Sequence, residues 1–193
     1  MDKNHFNPVS IFFHWITFCV VIAIFLSVEI AISFERGSAT RDLFSQIHFY
    51  FGATLFVLTL FRLLVRGFKR KPAIDPEPSP TQAWLSRLVH VALYVLMLLI
   101  PIAGLALLNS TGGQLVILGQ ELPAIIDTNR ALTATIRERH ALLGFSLLTL
   151  IAVHAAAALF HHYVIKDNTL NRMMPKPKTT SAQPKAGPTT NES

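Results

Sequence analysis

The sequence predicts an all-α membrane protein, a bundle of four transmembrane helices. Three observations carry this. The chain is 51% hydrophobic with a mean hydropathy of +0.44. Only 15% of its residues are charged, against about a quarter in soluble domains. Four apolar runs each exceed the roughly 20 residues that a helix needs to cross a hydrocarbon core about 30 Å thick.

The four runs are residues 11–32, 43–65, 88–108 and 140–164. Glu29 and Arg62 fall inside the first and second, near an end of each, where a long side chain can snorkel to water. The first run is too long for the apolar core of a cleavable signal, and no small-residue cleavage site closes it. Residues 33–42 form a short turn. The segment 67–87 carries Pro72, Pro76, Pro78 and Pro80 and is expected to lack regular structure apart from a short helix around Trp84. Pro101 and Gly104 are expected to bend the third helix. The long loop 109–139 is moderately apolar and is expected to pack over one mouth of the bundle. Residues 1–175 form one membrane domain. The tail 176–193, rich in Pro, Thr, Ser and Lys, reads as disordered.

Charge sets the orientation. The two ends of the chain and the segment before the third helix hold eleven of the lysines and arginines outside the membrane runs. The opposite side holds five, Arg36, Arg41, Arg130, Arg137 and Arg139. By the positive-inside rule both termini are cytoplasmic. This distribution also accounts for the net charge of +6 and argues against nucleic-acid binding. The single cysteine, Cys19, leaves no intrachain disulfide and no cysteine-based zinc or iron–sulfur site.

The fourth run organises the chemistry. His140 and His154 are fourteen residues apart, almost a whole number of helical turns. They share one face and lie roughly 21 Å apart along the axis at about 1.5 Å per residue. His48 matches the depth of His140 on the outer side, and His14 matches His154 on the cytoplasmic side. Polar groups inside a span are costly and usually functional. A haem iron held by two neutral imidazoles satisfies both rings and fills an apolar core with an apolar macrocycle. Six-coordinate iron with no open position favours electron transfer over ligand binding. Small residues one turn from three of the histidines, Gly52, Gly144 and Ala158, leave room for a flat porphyrin; Phe18 takes that place after His14. Arg62, fourteen residues after His48, returns to the same face at the inner level, where it can pair with a haem propionate. A lone membrane histidine is often only an interhelical hydrogen-bonding group. The matched depths, the shared helix and the adjacent small residues together favour the haem reading. His90, His161 and His162 lie at the cytoplasmic interface, where polar capping and a quinone role are both open. An arginine in the position of Arg62 is more often a simple interfacial anchor.

These residues resemble the bacterial cytochrome b561 family. The resemblance runs from FHW around His14, through His48 and the following Gly52, to HAAAALFHHY and KDNTLNRMMP near the end of the membrane domain. It implies an inner-membrane protein with two b haems, and its ligand pattern maps onto His14, His48, His140 and His154. It also implies oxidation of superoxide at the periplasmic side, with electrons passed to ubiquinone. A quinone site is implied near His90 and His161. Superoxide is a small anion, and Arg137 and Arg139 directly precede His140, so a local positive field would raise the encounter rate. Ordinary membrane-flanking charges would look the same. Protons for quinol could pass through His161 or His90.

Three functions remain to be separated. A superoxide:ubiquinone oxidoreductase acts alone. A cytochrome b carrier or anchor subunit passes electrons between a partner dehydrogenase and the quinone pool, and co-purifies with that partner. A non-redox bundle whose histidines bind zinc or protons purifies colourless. No lipid-attachment motif or extra domain is evident, which favours the self-contained enzyme.

Overall fold

The computed structural model describes residues 6–68, 73–114, 116–117, 119–121 and 123–175. The tail 176–193, His5 and the basic residues Lys69, Arg70 and Lys71 lie outside them, as do Leu115, Leu118 and Leu122 of the long loop. Four long helices follow in order: α1 (Pro8–Ile32), α2 (Ala39–Phe68), α3 (Pro80–Ser110) and α4 (Arg130–Phe160). All four are long and apolar enough to cross a membrane. Helices α1, α2 and α3 each enclose one of the apolar runs, and the fourth run, 140–164, extends four residues past the end of α4.

Local chemistry explains where the helices begin. Pro8 opens α1, and the Asn7 side chain accepts the Val9 amide at 2.9 Å. Pro80 opens α3 behind a reciprocal cap. The Ser79 hydroxyl accepts the Gln82 amide and the Gln82 side chain accepts the Ser79 amide. Asn129 caps α4 by accepting the Leu132 amide. These caps correct two expectations. The helix expected around Trp84 is not a separate short one but the first turns of α3, residues 80–87, and α4 starts ten residues before His140. Arg137 and Arg139 therefore sit on a helix. Helices α3 and α4 outrun their apolar stretches because backbone capping, not hydrophobicity, ends a helix. Helix α3 continues through Pro101.

The loop between α3 and α4 carries one small antiparallel hairpin, β1 (Val116–Ile117) with β2 (Gln120–Glu121). Its ends are clamped to the buried end of α3. Asn109 donates to the Gly113 carbonyl and accepts the Ile125 amide, and the Ser110 carbonyl accepts the Asn129 amide. Val116 and Ile125 remain exposed rather than sealing the bundle mouth.

The core is narrow. Val20 and Val21 of α1, Leu55 of α2, Leu93 and Met97 of α3 and Leu147 of α4 are buried together. Phe12, Leu26, Val57, Leu64, Val91 and Val153 point outward, as lipid-facing residues do. Thr17, Ser27 and Thr59 are buried and satisfy their hydroxyls on carbonyls three or four residues back. Helix α1 packs on α2, α2 on α3 and α3 on α4, while α4 stands off from α1 and α2.

Beyond Phe160 the chain widens into a π-turn, His161–Ile165. Lys166 then takes a left-handed conformation, φ 61°. The following strap, 167–175, holds a short 3₁₀ turn, Asn171–Met173. It runs back under the bundle. Asn168 exchanges two hydrogen bonds with Asp75, the Phe6 amide donates to the Arg172 carbonyl, and the Trp15 indole donates to the Met173 carbonyl.

Candidate functional site

The interval between α4 and the α1–α2 pair is where the histidines meet. At one end, the rings of His48 (α2) and His140 (α4) are 6.2 Å apart between centroids and inclined at 75°. At the other, His14 (α1) and His154 (α4) are 6.4 Å apart at 69°. A metal ion between two imidazoles, at metal–nitrogen distances of about 2 Å, separates the ring centres by roughly 6 Å. Both pairs have that spacing.

The donor set fits a haem in three further respects. The Nδ1 of His48 lies 3.2 Å from the Ile24 carbonyl. A carbonyl only accepts, so Nδ1 carries the proton and Nε2 keeps its lone pair for a metal. Gly52 and Gly144, one turn past His48 and His140, have nothing within 4 Å of where a Cβ would stand. Among the described residues no group of three or more His, Cys, Asp or Glu could hold an ion. Two imidazoles at each level therefore suit a prosthetic group that brings its own equatorial nitrogens.

The His14 level holds more than its pair. His90 of α3 brings its ring 5.1 Å from that of His154. That is closer than a shared metal requires, and His90 Nδ1 is turned to the Ser86 carbonyl one turn back. The Arg62 guanidinium donates from 3.1 Å to Nδ1 of His14. Its carbon also lies 5.7 Å from the Tyr94 ring centre, with that of Arg66 at 5.5 Å. Beside them a hollow of about 320 Å³ is lined by Leu63, Arg66, Arg87, His90, Tyr94 and Leu98, among others. His161 does not line it. Its Nδ1 lies instead 2.6 Å from the carboxylate of Asp167.

At the other end Arg137 and Arg139 are exposed. Arg137, three residues before His140, shares its side of α4, whereas Arg139 is turned about 100° away. Arg41, also at this end, donates to the Phe34 carbonyl.

Two residues of the site escaped the sequence reading. Gly104, read there as a bend, is where α3 makes room for His140: a Cβ at 104 would stand 3.1 Å from His140 Cε1. Only the lateral neighbourhood of α3 and α4 exposes this. Asp167 lies inside the KDNTLNRMMP motif, and its six-residue spacing from His161 is not an α-helical contact. Burial would raise the Asp167 carboxyl, but hydrogen bonds from His161 and Thr169 outweigh it and hold the group below the usual range.

Four membrane-length helices with imidazoles paired at two depths are the architecture of a multi-pass membrane cytochrome. The chain belongs to the prokaryotic cytochrome b561 family, whose model matches residues 5–176. It is 37% identical over 178 residues to "Cytochrome b561 homolog 1" of Escherichia coli (strain K12), covering 91% of this chain and 99% of that one. It is 36% identical over 179 residues to "Probable superoxide oxidase CybB" of Yersinia pestis, covering 91% and 98%. "Cytochrome b561 homolog 2" of the same E. coli strain is 27% identical over 174 residues, covering 90% and 93%. The protein is thus a b-haem-binding, multi-pass membrane protein of the oxidoreductase type that carries out electron transfer.

Proposed function

We propose that the protein oxidises superoxide at one membrane face and reduces ubiquinone toward the other, with two b haems held by His48–His140 and His14–His154. The observation that carries this is the pair of facing imidazoles at each of two levels of one helix, spaced 6.2 and 6.4 Å. The relative named as a probable superoxide oxidase supports the choice of donor. Two superoxide anions, one quinone and two protons balance as two dioxygen molecules and one quinol.

When bound, the haems supply one-electron redox couples at two depths. The chain's own residues do the rest. His48 keeps Nε2 available by donating Nδ1–H to Ile24. Gly104 gives the His140 ring its place. Arg62 serves the inner level as a cation for a haem carboxylate. Ligation through Nε2 puts the His14 proton on Nδ1, which releases the guanidinium from that nitrogen. Arg137 and Arg139 present positive charge to an approaching anion. His90 and His161 stand at the quinone end, and either can move a proton through a ring nitrogen. Both termini are assigned to the cytoplasm of a bacterial inner membrane on the strength of the lysine and arginine distribution, and residues 1–175 are assigned to one four-helix domain.

Stopped-flow mixing of the oxidised holoprotein with superoxide tests this, with and without a ubiquinone analogue. The expected result is haem reduction well above that of a control cytochrome, followed by quinone-dependent reoxidation. Reduction no faster than the control contradicts it.

A further inference from the structure

We propose that Asp167 is a positioning residue for quinone reduction: its buried carboxylate keeps the proton on Nδ1 of His161, so that Nε2 is the ring atom offered to a quinone oxygen. The proposal rests on His161 being the quinone-side histidine.

In a straight α-helix, a residue six positions on lies about 9 Å along the axis and far round the cylinder, out of reach. The π-turn and the left-handed Lys166 remove that separation. The Asp167 amide closes the helix end on the His161 carbonyl at 3.1 Å. The Asp167 side chain then reaches the His161 ring at 2.6 Å. The carboxylate is 5% exposed and both its oxygens are used, Oδ2 by His161 and Oδ1 by the Thr169 amide at 2.8 Å. Arg172, also buried on the strap, lies within electrostatic reach of it. The strap is itself tied to the α2–α3 segment through Asn168 and Asp75, and to α1 through Trp15 and Met173. The carboxylate is thus fixed in position as well as buried.

An ionised carboxylate accepts and never donates, so the ring nitrogen facing it carries hydrogen in both protonation states. Exchange is confined to Nε2. With the ring charged, its Nε2–H bond breaks as an O–H bond forms on the quinone oxygen that is being reduced. The electron comes from superoxide, the ring is left as the neutral Nδ1–H form, and water at the membrane surface reloads Nε2. The His161 side chain is 23% exposed, which leaves the ring accessible from outside the bundle.

The test uses the reduced holoprotein, labelled with ¹⁵N-histidine, in detergent. The His161 signals are those lost in His161→Ala. In the wild type, Nδ1 is expected to be protonated, with a proton resonance at low field. A wild-type His161 unprotonated at Nδ1 overturns the proposal without any variant of Asp167. Asp167→Asn should remove the low-field resonance and lower kcat for a ubiquinone analogue roughly tenfold or more, with KM and haem spectra unchanged. Asp167→Glu, which keeps the charge, should restore the resonance and most of kcat. Wild-type kcat in Asp167→Asn, or no rescue by Asp167→Glu, counts against it. If His161→Ala itself reduces quinone at the wild-type rate, it is the quinone reading of His161 that fails. If His161→Ala is slow and Asp167→Asn is not, only the role of Asp167 fails.

Discussion

Arg62 and His14, forty-eight residues apart on neighbouring helices, are joined by a 3.1 Å hydrogen bond from the guanidinium to Nδ1. This places a cation directly at the level where His14 faces His154. The delocalised guanidinium is protonated in proteins, and an anion at the same level would satisfy it.

If that anion is a haem carboxylate, Arg62→Gln should weaken retention of one haem and leave the other. A hydrogen bond to a charged group contributes about 1.5–3 kcal/mol, so haem should transfer to an apo-acceptor roughly tenfold faster or more. Haem transfer kinetics followed by absorbance would show it. Equal retention in the variant would make Arg62 a plain interfacial anchor.

Gly104 is the tightest constraint on the outer pair. An alanine there must push His140 Cε1 from 3.1 Å by a few tenths of an ångström. A valine cannot be accommodated without moving the ring. Overpacking of this kind destabilises by about 1–3 kcal/mol. Gly104→Val is expected to lose or shift one haem band in the reduced-minus-oxidised spectrum, with Gly104→Ala intermediate. An unchanged spectrum in Gly104→Val would show that α3 yields at this point.

The Asp167 carboxyl sits below its usual range in the folded protein. A depressed folded value means that its contribution to stability is complete above the ordinary carboxylate pKa of about 4. It is lost as pH falls through the folded value. Thermal unfolding of the wild type and Asp167→Asn should therefore differ most at neutral pH and converge below about pH 4. A gap that persists undiminished to pH 3 would contradict the assignment of charge to Asp167.

Arg137 shares the side of α4 that carries His140. Arg137→Gln should lower the second-order rate of haem reduction by superoxide several-fold at low ionic strength. The loss should fade as salt is raised, because steering acts through a screened field. A deficit independent of salt would point to a contact rather than to steering.

The four helices and the depth of each histidine are legible in the sequence because length and apolar run set them. The pairs His48–His140 and His14–His154 follow from depth once α4 is taken as the shared element. What depth cannot give is lateral order. That His90 approaches His154 to 5.1 Å, and that Gly104 faces His140, depends on α3 being the close neighbour of α4. The early starts of α3 and α4 were hidden in polar capping residues, Ser79, Gln82 and Asn129, outside the apolar runs. Asp167 was hidden by a π-turn, which no hydrophobic period announces.

The central claim is that each imidazole pair holds one haem. Pyridine-haemochrome quantification of the purified wild type, His48→Ala and His14→Ala tests it most directly. Two b haems per chain in the wild type and one in each variant, with different bands lost, is the predicted result. One haem in the wild type, or loss of the same band in both variants, would contradict it.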